Sequence, residues 1–205
     1  MSLQGKTAVV IGASGQHNFG VAIARLLAQN GAKVVVSGRR LAPLQALAKD
    51  INGLAIACDM SDPDSIAALF TEAKAQTGRV DVAINSAGGL AASPIAMLTP
   101  EQIQPTLDVS FIGALLCFRY AAEAMTDGGS IITISSLTAR LPGPALSVYA
   151  AARAGIDYAI KVAALEYGPK KIRFNSIAAG LIQTDMTDAM FTAGGSEAGF
   201  TPHIP

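Results

Sequence analysis

Thr7-Ala-Val-Val-Ile11, then Gly12-Ala-Ser-Gly15, then the apolar run from Val21 to Leu27, and then Lys33-Val-Val-Val-Ser37 decide the fold. An apolar strand stops at a glycine-rich turn. A helix opens near Gly20 and is ended by Asn30-Gly31, and a second apolar strand follows. Strands with no polar alternation belong in a parallel sheet covered on both faces. The pattern continues outward. A helix spans Leu41 to Ile51, and a strand over Leu54 to Cys58 breaks at Asp59. Ser61 or Asp62 caps a helix that runs to about Gln76. Val80 to Ile84 is a strand ending at Asn85-Ser-Ala-Gly88, and Thr99-Pro-Glu-Gln starts a helix with proline at its first position, continuing to about Thr126. Ile131 to Ile134 is the fifth strand. A helix then runs from near Val148 to Gly168-Pro169, and Ile172 to Ile177 is the sixth strand. This alternation predicts one doubly wound α/β domain with three layers over the whole chain, 1–205. Ligands of such sheets bind beyond the carboxyl ends of the strands, where strand order reverses. Gly12, Asp59, Asn85, Ser136 and Ala179-Gly180 collect at those ends.

Composition agrees. Of 205 residues, 51% are hydrophobic and 15% charged, so most elements must be covered on several sides. Formal net charge is zero and no basic stripe is present, which argues against nucleic acid as a partner. Cys58 and Cys117 lie in apolar runs without CxxC spacing and read as reduced, buried thiols of a cytoplasmic protein. His17 and His203 are too isolated to suggest a metal site. The longest uncharged run, Val82 to Pro100, carries too many glycines, prolines and polar groups for a membrane helix, and the N-terminus has no secretory pattern.

The chemistry-bearing residues fall in three places. The turn from Gly12 to Gly20 lets backbone approach a pyrophosphate at a helix N-terminus, with Gly12, Ser14, Asn18, Phe19 and Gly20 as candidates; an ordinary tight turn is the alternative. Strand two ends in Gly38-Arg39-Arg40, where an NAD site carries an acid for the ribose 2′-hydroxyl. Guanidinium groups match a 2′-phosphate instead, so Arg39 favours NADP(H), with NAD(H) left open and a solvated basic loop as the bland alternative. Ser136 ends the fifth strand, while Tyr149 and Arg153 stand one helical turn apart. A hydroxyl, a phenol and a fixed cation brought together move a proton to or from a substrate oxygen; Tyr149 packing at a helix start is the other reading.

Taken as an ordered set, these residues resemble the classical short-chain dehydrogenase/reductase family over nearly the whole chain. The matching pieces are the glycine turn, Asp59, Asn85-Ser-Ala-Gly88, Ser136 ahead of Tyr149, Arg173-Phe-Asn-Ser-Ile177, Ala179-Gly180 and Thr184. The resemblance implies that Asp59 and Met60 border the adenine and that Asn85, Ala87 and Gly88 line the cofactor. It also implies that Ile182 and Thr184 hold the nicotinamide carboxamide, that Tyr149 is the acid/base, and that Ser136 polarises the substrate oxygen. It further implies a homo-oligomer, a dimer or tetramer.

The sequence departs from the family pattern in several places. Tyr-x-x-x-Lys becomes Tyr149-Ala-Ala-Ala-Arg153, so the group that orients the ribose and favours the phenolate is a guanidinium, which keeps the charge but is bulkier and planar. The family's helix asparagine, which helps hold a relay water, falls on Ser110. Gln16-His17-Asn18-Phe19 lengthens the glycine turn, and Ala179 replaces a proline. The family continues into a further helix and strand. The expectation is therefore that the family's last strand is missing here, through truncation or with the edge closed by oligomerisation. Residues from about 184 to 205 are expected to form a lid over the substrate. Leu90, Leu137, Leu141, Met186, Met190 and Phe191 are candidates for an apolar pocket. The expected activity is NADP(H)-dependent interconversion of a small, apolar secondary alcohol and ketone. The joint change at Ser110 and Arg153 keeps a catalytically impaired dinucleotide-binding protein as the alternative.

Overall fold

The computed structural model describes residues 2–188. The strands are β1 (Thr7–Ile11), β2 (Lys33–Gly38), β3 (Leu54–Ala57), β4 (Val82–Asn85), β5 (Gly129–Ser136) and β6 (Ile172–Ala179). All pair in parallel in the order β3-β2-β1-β4-β5-β6, so the order reverses between β1 and β4. Every residue of β1 is buried, as its uninterrupted apolar run requires.

Helices cover both faces. On one, α1 (Phe19–Gln29) and α2 (Leu41–Asp50) pack Ala24, Leu44 and Leu47 against Val10, Val34 and Val36. On the other, α3 (Pro63–Thr77), α5 (Gly113–Ala124) and α6 (Ser147–Tyr167) bring Leu69, Phe70, Phe118 and Ile156 onto Val9, Ile11 and Ile131. The fold is therefore the three-layer doubly wound sheet that the alternating pattern predicts. At the amino ends of the strands, Asp81 ties β1 to β4. It accepts from the Thr7 N–H at 2.9 Å, Lys6 Nζ at 3.1 Å and Arg79 Nε at 2.8 Å.

Local signals explain most boundaries. Asn18 caps α1, its Oδ1 accepting from the Val21 N–H at 2.9 Å, and Asp62 caps α3 ahead of Pro63. The expected single helix from Thr99 to Thr126 is corrected. The chain forms α4 (Pro100–Leu107), a wide π turn over Asp108–Ile112, and then α5. Pro105 inside α4 withholds one N–H from the ladder, and the π turn follows it, rotating Ser110 fully into the protein. Gly113 begins α5 against the Met60 carbonyl so closely that any Cβ there would collide with it. No helix among the described residues is long and apolar enough to cross a membrane.

Candidate active site

The carboxyl ends of the strands open into one cleft of about 1090 Å³, straddling the β1/β4 reversal. On its β1 side the long turn Gly12–Asn18 brings Gly12, Ser14, Asn18 and Phe19 to the wall. Gly12 has φ 88°, and a Cβ there would stand 2.8 Å from the backbone of Ser86 and Ala87, so only glycine lets the first turn approach the end of β4. Gly20 stands behind this wall, not on it. A Cβ at Gly20 would lie 2.6 Å from the Gly12 carbonyl oxygen, so this glycine sets how closely α1 packs under the turn.

Arg39, Arg40, Asp59 and Met60 form the far end. Arg40 is tied back, donating from Nη2 to the Ser14 carbonyl at 2.6 Å. Arg39 is exposed and has no hydrogen-bond partner among the described residues. The N–H and the hydroxyl of Ser61, at 2.9 and 2.7 Å, hold the Asp59 carboxyl below the usual carboxylate range, with the nearby Arg39 charge adding to them. Cys58 also reaches this wall, but burial pushes its thiol up to about 11, and burial likewise raises Cys117; both are free thiols.

At the centre, Ala87 and Gly88 face the cleft while Asn85 is enclosed behind them, its Oδ1 accepting from the Ala87 N–H at 3.0 Å. Ser110 is also behind the wall. Its Oγ accepts from the Gly89 N–H at 3.0 Å and reaches the Gly89 carbonyl at 3.2 Å. The Ser110 side chain is thus spent on fixing the loop after β4. Gly20, Asn85 and Ser110 therefore support the cleft from behind.

Ser136, Tyr149 and Arg153 all line the cleft. Ser136 ends β5, and its Oγ accepts from the Thr138 N–H at 3.2 Å and the Thr138 hydroxyl at 2.9 Å. Tyr149 lies in the first turn of α6, half-buried, its hydroxyl without a partner among the described residues. Arg153 is 3% exposed, with Cζ 5.2 Å from the Tyr149 ring centroid. Its Nη2 donates to the Ala87 carbonyl at 3.2 Å, while Nε and Nη1 are buried without protein partners. A cation so enclosed, with donors unspent, is suited to a polar ligand. Gly88 makes room for it, since a Cβ there would collide with Nη2.

Ile182, Thr184 and the apolar Leu90, Leu137, Leu141 and Met186 complete the wall; Met190 and Phe191 lie outside the described residues. Sequence reading missed Asp185, whose carboxylate crosses to the glycine turn and accepts from the N–H groups of Gln16 and His17. Nothing local in the sequence signals that contact, because its partners are 169 and 168 positions away.

Comparison with known proteins agrees with this fold. Residues 12–205 match the family described as enoyl-(acyl carrier protein) reductase. The chain is 37% identical over 198 residues to the short chain dehydrogenase/reductase astE of Aspergillus oryzae, covering 92% of this chain and 75% of that one. It is 36% identical over 191 residues to versicolorin reductase 1 of Aspergillus parasiticus, covering 90% and 72%. A solved dehydrogenase/reductase from Sinorhizobium meliloti 1021 superposes with a TM-score of 0.86 at 34% identity, covering 90% of this chain and 75% of that one.

Proposed function

From the premise that the chain belongs to the short-chain dehydrogenase/reductase family of oxidoreductases, we propose that it interconverts a secondary alcohol and a ketone with NADP(H). The observation that carries the proposal is the convergence of Ser136, Tyr149 and an enclosed Arg153 in the cleft that the glycine turn enters. The residues present fit a dinucleotide. Glycine at position 12 lets the turn close onto the end of β4 at the head of the cleft, and Arg153 keeps two buried donors unspent where the family has its ribose-binding lysine. When bound, the nicotinamide supplies the hydride.

The protein's own share is binding and proton management. Ser14, Asn18 and Phe19 would border the pyrophosphate, Asp59 and Met60 the adenine, Ala87 and Gly88 the central ribose, and Ile182 and Thr184 the carboxamide. Arg39 would take the 2′-phosphate, being the guanidinium not already held by the turn. Ser136 donates to the substrate oxygen, and Tyr149 gives it a proton on reduction or removes one on oxidation. Arg153 orients the ribose. Leu90, Leu137, Leu141 and Met186 suit a small, apolar substrate, while the lid expected from about residue 184 falls mostly after Asp188, outside the described residues. A cytoplasmic location accords with two free, buried cysteines. Homo-oligomerisation accords with Leu115, Val162 and Leu165, exposed on α5 and α6.

The test is NADPH oxidation over a panel of apolar ketones, with cofactor binding measured beside it. Turnover that Tyr149→Phe removes while NADPH binding persists supports the proposal. Tight NADPH binding without turnover on any ketone, and turnover gained in Arg153→Lys, would instead establish the impaired alternative. The relatives named above, a dehydrogenase/reductase and a reductase, give that alternative no support.

A further inference from the structure

The loop after β6 is fastened to the loop after β1 across the mouth of the cleft. Asp185 Oδ2 accepts from the Gln16 N–H at 2.7 Å, and Oδ1 accepts from the His17 N–H at 3.0 Å. The Asp185 N–H returns a bond to the His17 carbonyl at 2.9 Å. Gln16 and His17 belong to the segment that lengthens the glycine turn, so the extra residues have a partner. Gly15 makes the approach possible, because a Cβ there would collide with Asp185 Oδ2. On the other side, the Thr187 hydroxyl accepts from the Thr184 N–H at 2.9 Å and donates to the Ile182 carbonyl at 2.6 Å, which shapes the turn that presents Asp185.

We infer that Asp185 is a positioning residue: a clasp that holds the loop carrying Ile182 and Thr184 against the lengthened glycine turn and so slows release of the bound dinucleotide. The inference rests on the reading of the cleft as a dinucleotide site. An acid on two consecutive backbone N–H groups could instead compete with the cofactor's phosphates for the same donors. The geometry favours the clasp. The N–H of Phe19, at the first position of α1 and on the cleft wall, lies outside the Asp185 contact and is a donor that a helix start offers to an anion. The two functions thus use different donors, and a pyrophosphate on α1 leaves the clasp closed.

Both partners of the clasp are exposed, so each bond competes with water. Removing the carboxylate therefore speeds cofactor release about 5- to 10-fold rather than abolishing binding. The neutral Asp185→Asn, which keeps the shape and loses the charge, speeds it about 2- to 3-fold.

The experiment pairs two readouts on the full chain. Amide hydrogen exchange at Gln16 and His17 in the cofactor-free protein reports the clasp itself, and stopped-flow release of NADPH reports its consequence. In Asp185→Ala both amides exchange faster and NADPH leaves 5- to 10-fold faster, with Asp185→Asn between it and the parent; a thermal melt confirms that each variant is folded. Unchanged exchange at the two amides overturns the clasp. Faster exchange with unaltered release overturns its role in retention, and slower release or tighter NADPH binding shows competition instead. If the parent binds no dinucleotide, the site reading fails and takes the retention role with it, while the exchange data still judge the contact.

Discussion

Replacing Arg39 by alanine tests the cofactor assignment most directly. A 2′-phosphate carries roughly 1.5 to 2 negative charges at neutral pH. Two unit charges about 4 Å apart interact by about 1 kcal/mol in water, so the phosphate and one guanidinium gain about 2 kcal/mol. Water's dielectric is the right one because Arg39 is exposed. Asp59 subtracts from this. Its carboxylate, held chiefly by Ser61, is also close enough to feel Arg39, and it repels the incoming phosphate. The net is about 1 to 2 kcal/mol, or roughly 5- to 30-fold in affinity. Fluorescence titration of NADPH and NADH should show Arg39→Ala weakening NADPH by that factor and leaving NADH within about 2-fold, with the difference shrinking at high salt. Arg40→Ala should behave differently, since its guanidinium is tied to the Ser14 carbonyl and its loss loosens the turn for both cofactors alike. Equal weakening of the two cofactors by Arg39→Ala, or no weakening of NADPH, would refute the assignment.

Other residues give independent tests. Asp81→Asn keeps an acceptor for the Thr7 N–H but gives up the charge facing Lys6 and Arg79, and should cost about 1 to 2 kcal/mol in urea unfolding at pH 7. Burial alone would raise the Asp81 carboxyl, but bonds from Arg79, Thr7 and Lys6 outweigh it and hold it low. Its contribution is therefore whole above the ordinary aspartate value of about 3.9 and fades as pH falls through the lower folded one. A deficit in Asp81→Asn that persists in stronger acid contradicts this. Gly113→Ala drives a methyl into the Met60 carbonyl and should cost about 1 to 3 kcal/mol on thermal unfolding while weakening NADPH, because Met60 walls the cleft. An unaltered melt and titration would show that the π turn gives way freely. Ser110→Ala strands both polar groups of Gly89 and should cost about 1 to 2 kcal/mol, measured the same way.

The strands and most helices were legible because each is a run long enough for periodicity to speak, bounded by glycine, asparagine or a capping acid. The ordered set from the glycine turn to Tyr149 was legible because parallel strands deliver their carboxyl ends to one rim. The π turn was not. A helix that widens by one residue keeps its apolar character, so although Pro105 marks an interruption between Thr99 and Thr126, the pattern does not show that Ser110 swings inward. Nor does a charged residue reveal how far it will be enclosed: the helical spacing places Arg153 beside Tyr149, but nothing in the sequence says that it is only 3% exposed. Burial is decided by α6 lying on β5 and β6, a contact that local pattern does not encode. Asp185 is the extreme case, since its role exists only once both loops stand at the same rim.

The strand order also governs how the molecule comes together. β1 meets β2 after a short crossover, but its other edge waits for β4; Thr7 and Asp81, joined across that seam, are 74 positions apart. Early and late chain are thus joined in the sheet along one seam, and pairing so distant in sequence is the slow part of reaching the native state. The cleft sits astride that seam, with Gly12 from one side and Gly88 from the other. Whatever occupies it is a brace across the joint. At a ligand concentration a hundredfold above Kd the brace adds about 2.7 kcal/mol to the folded state, so cofactor supply sets how often the chain unfolds as well as how fast the enzyme works.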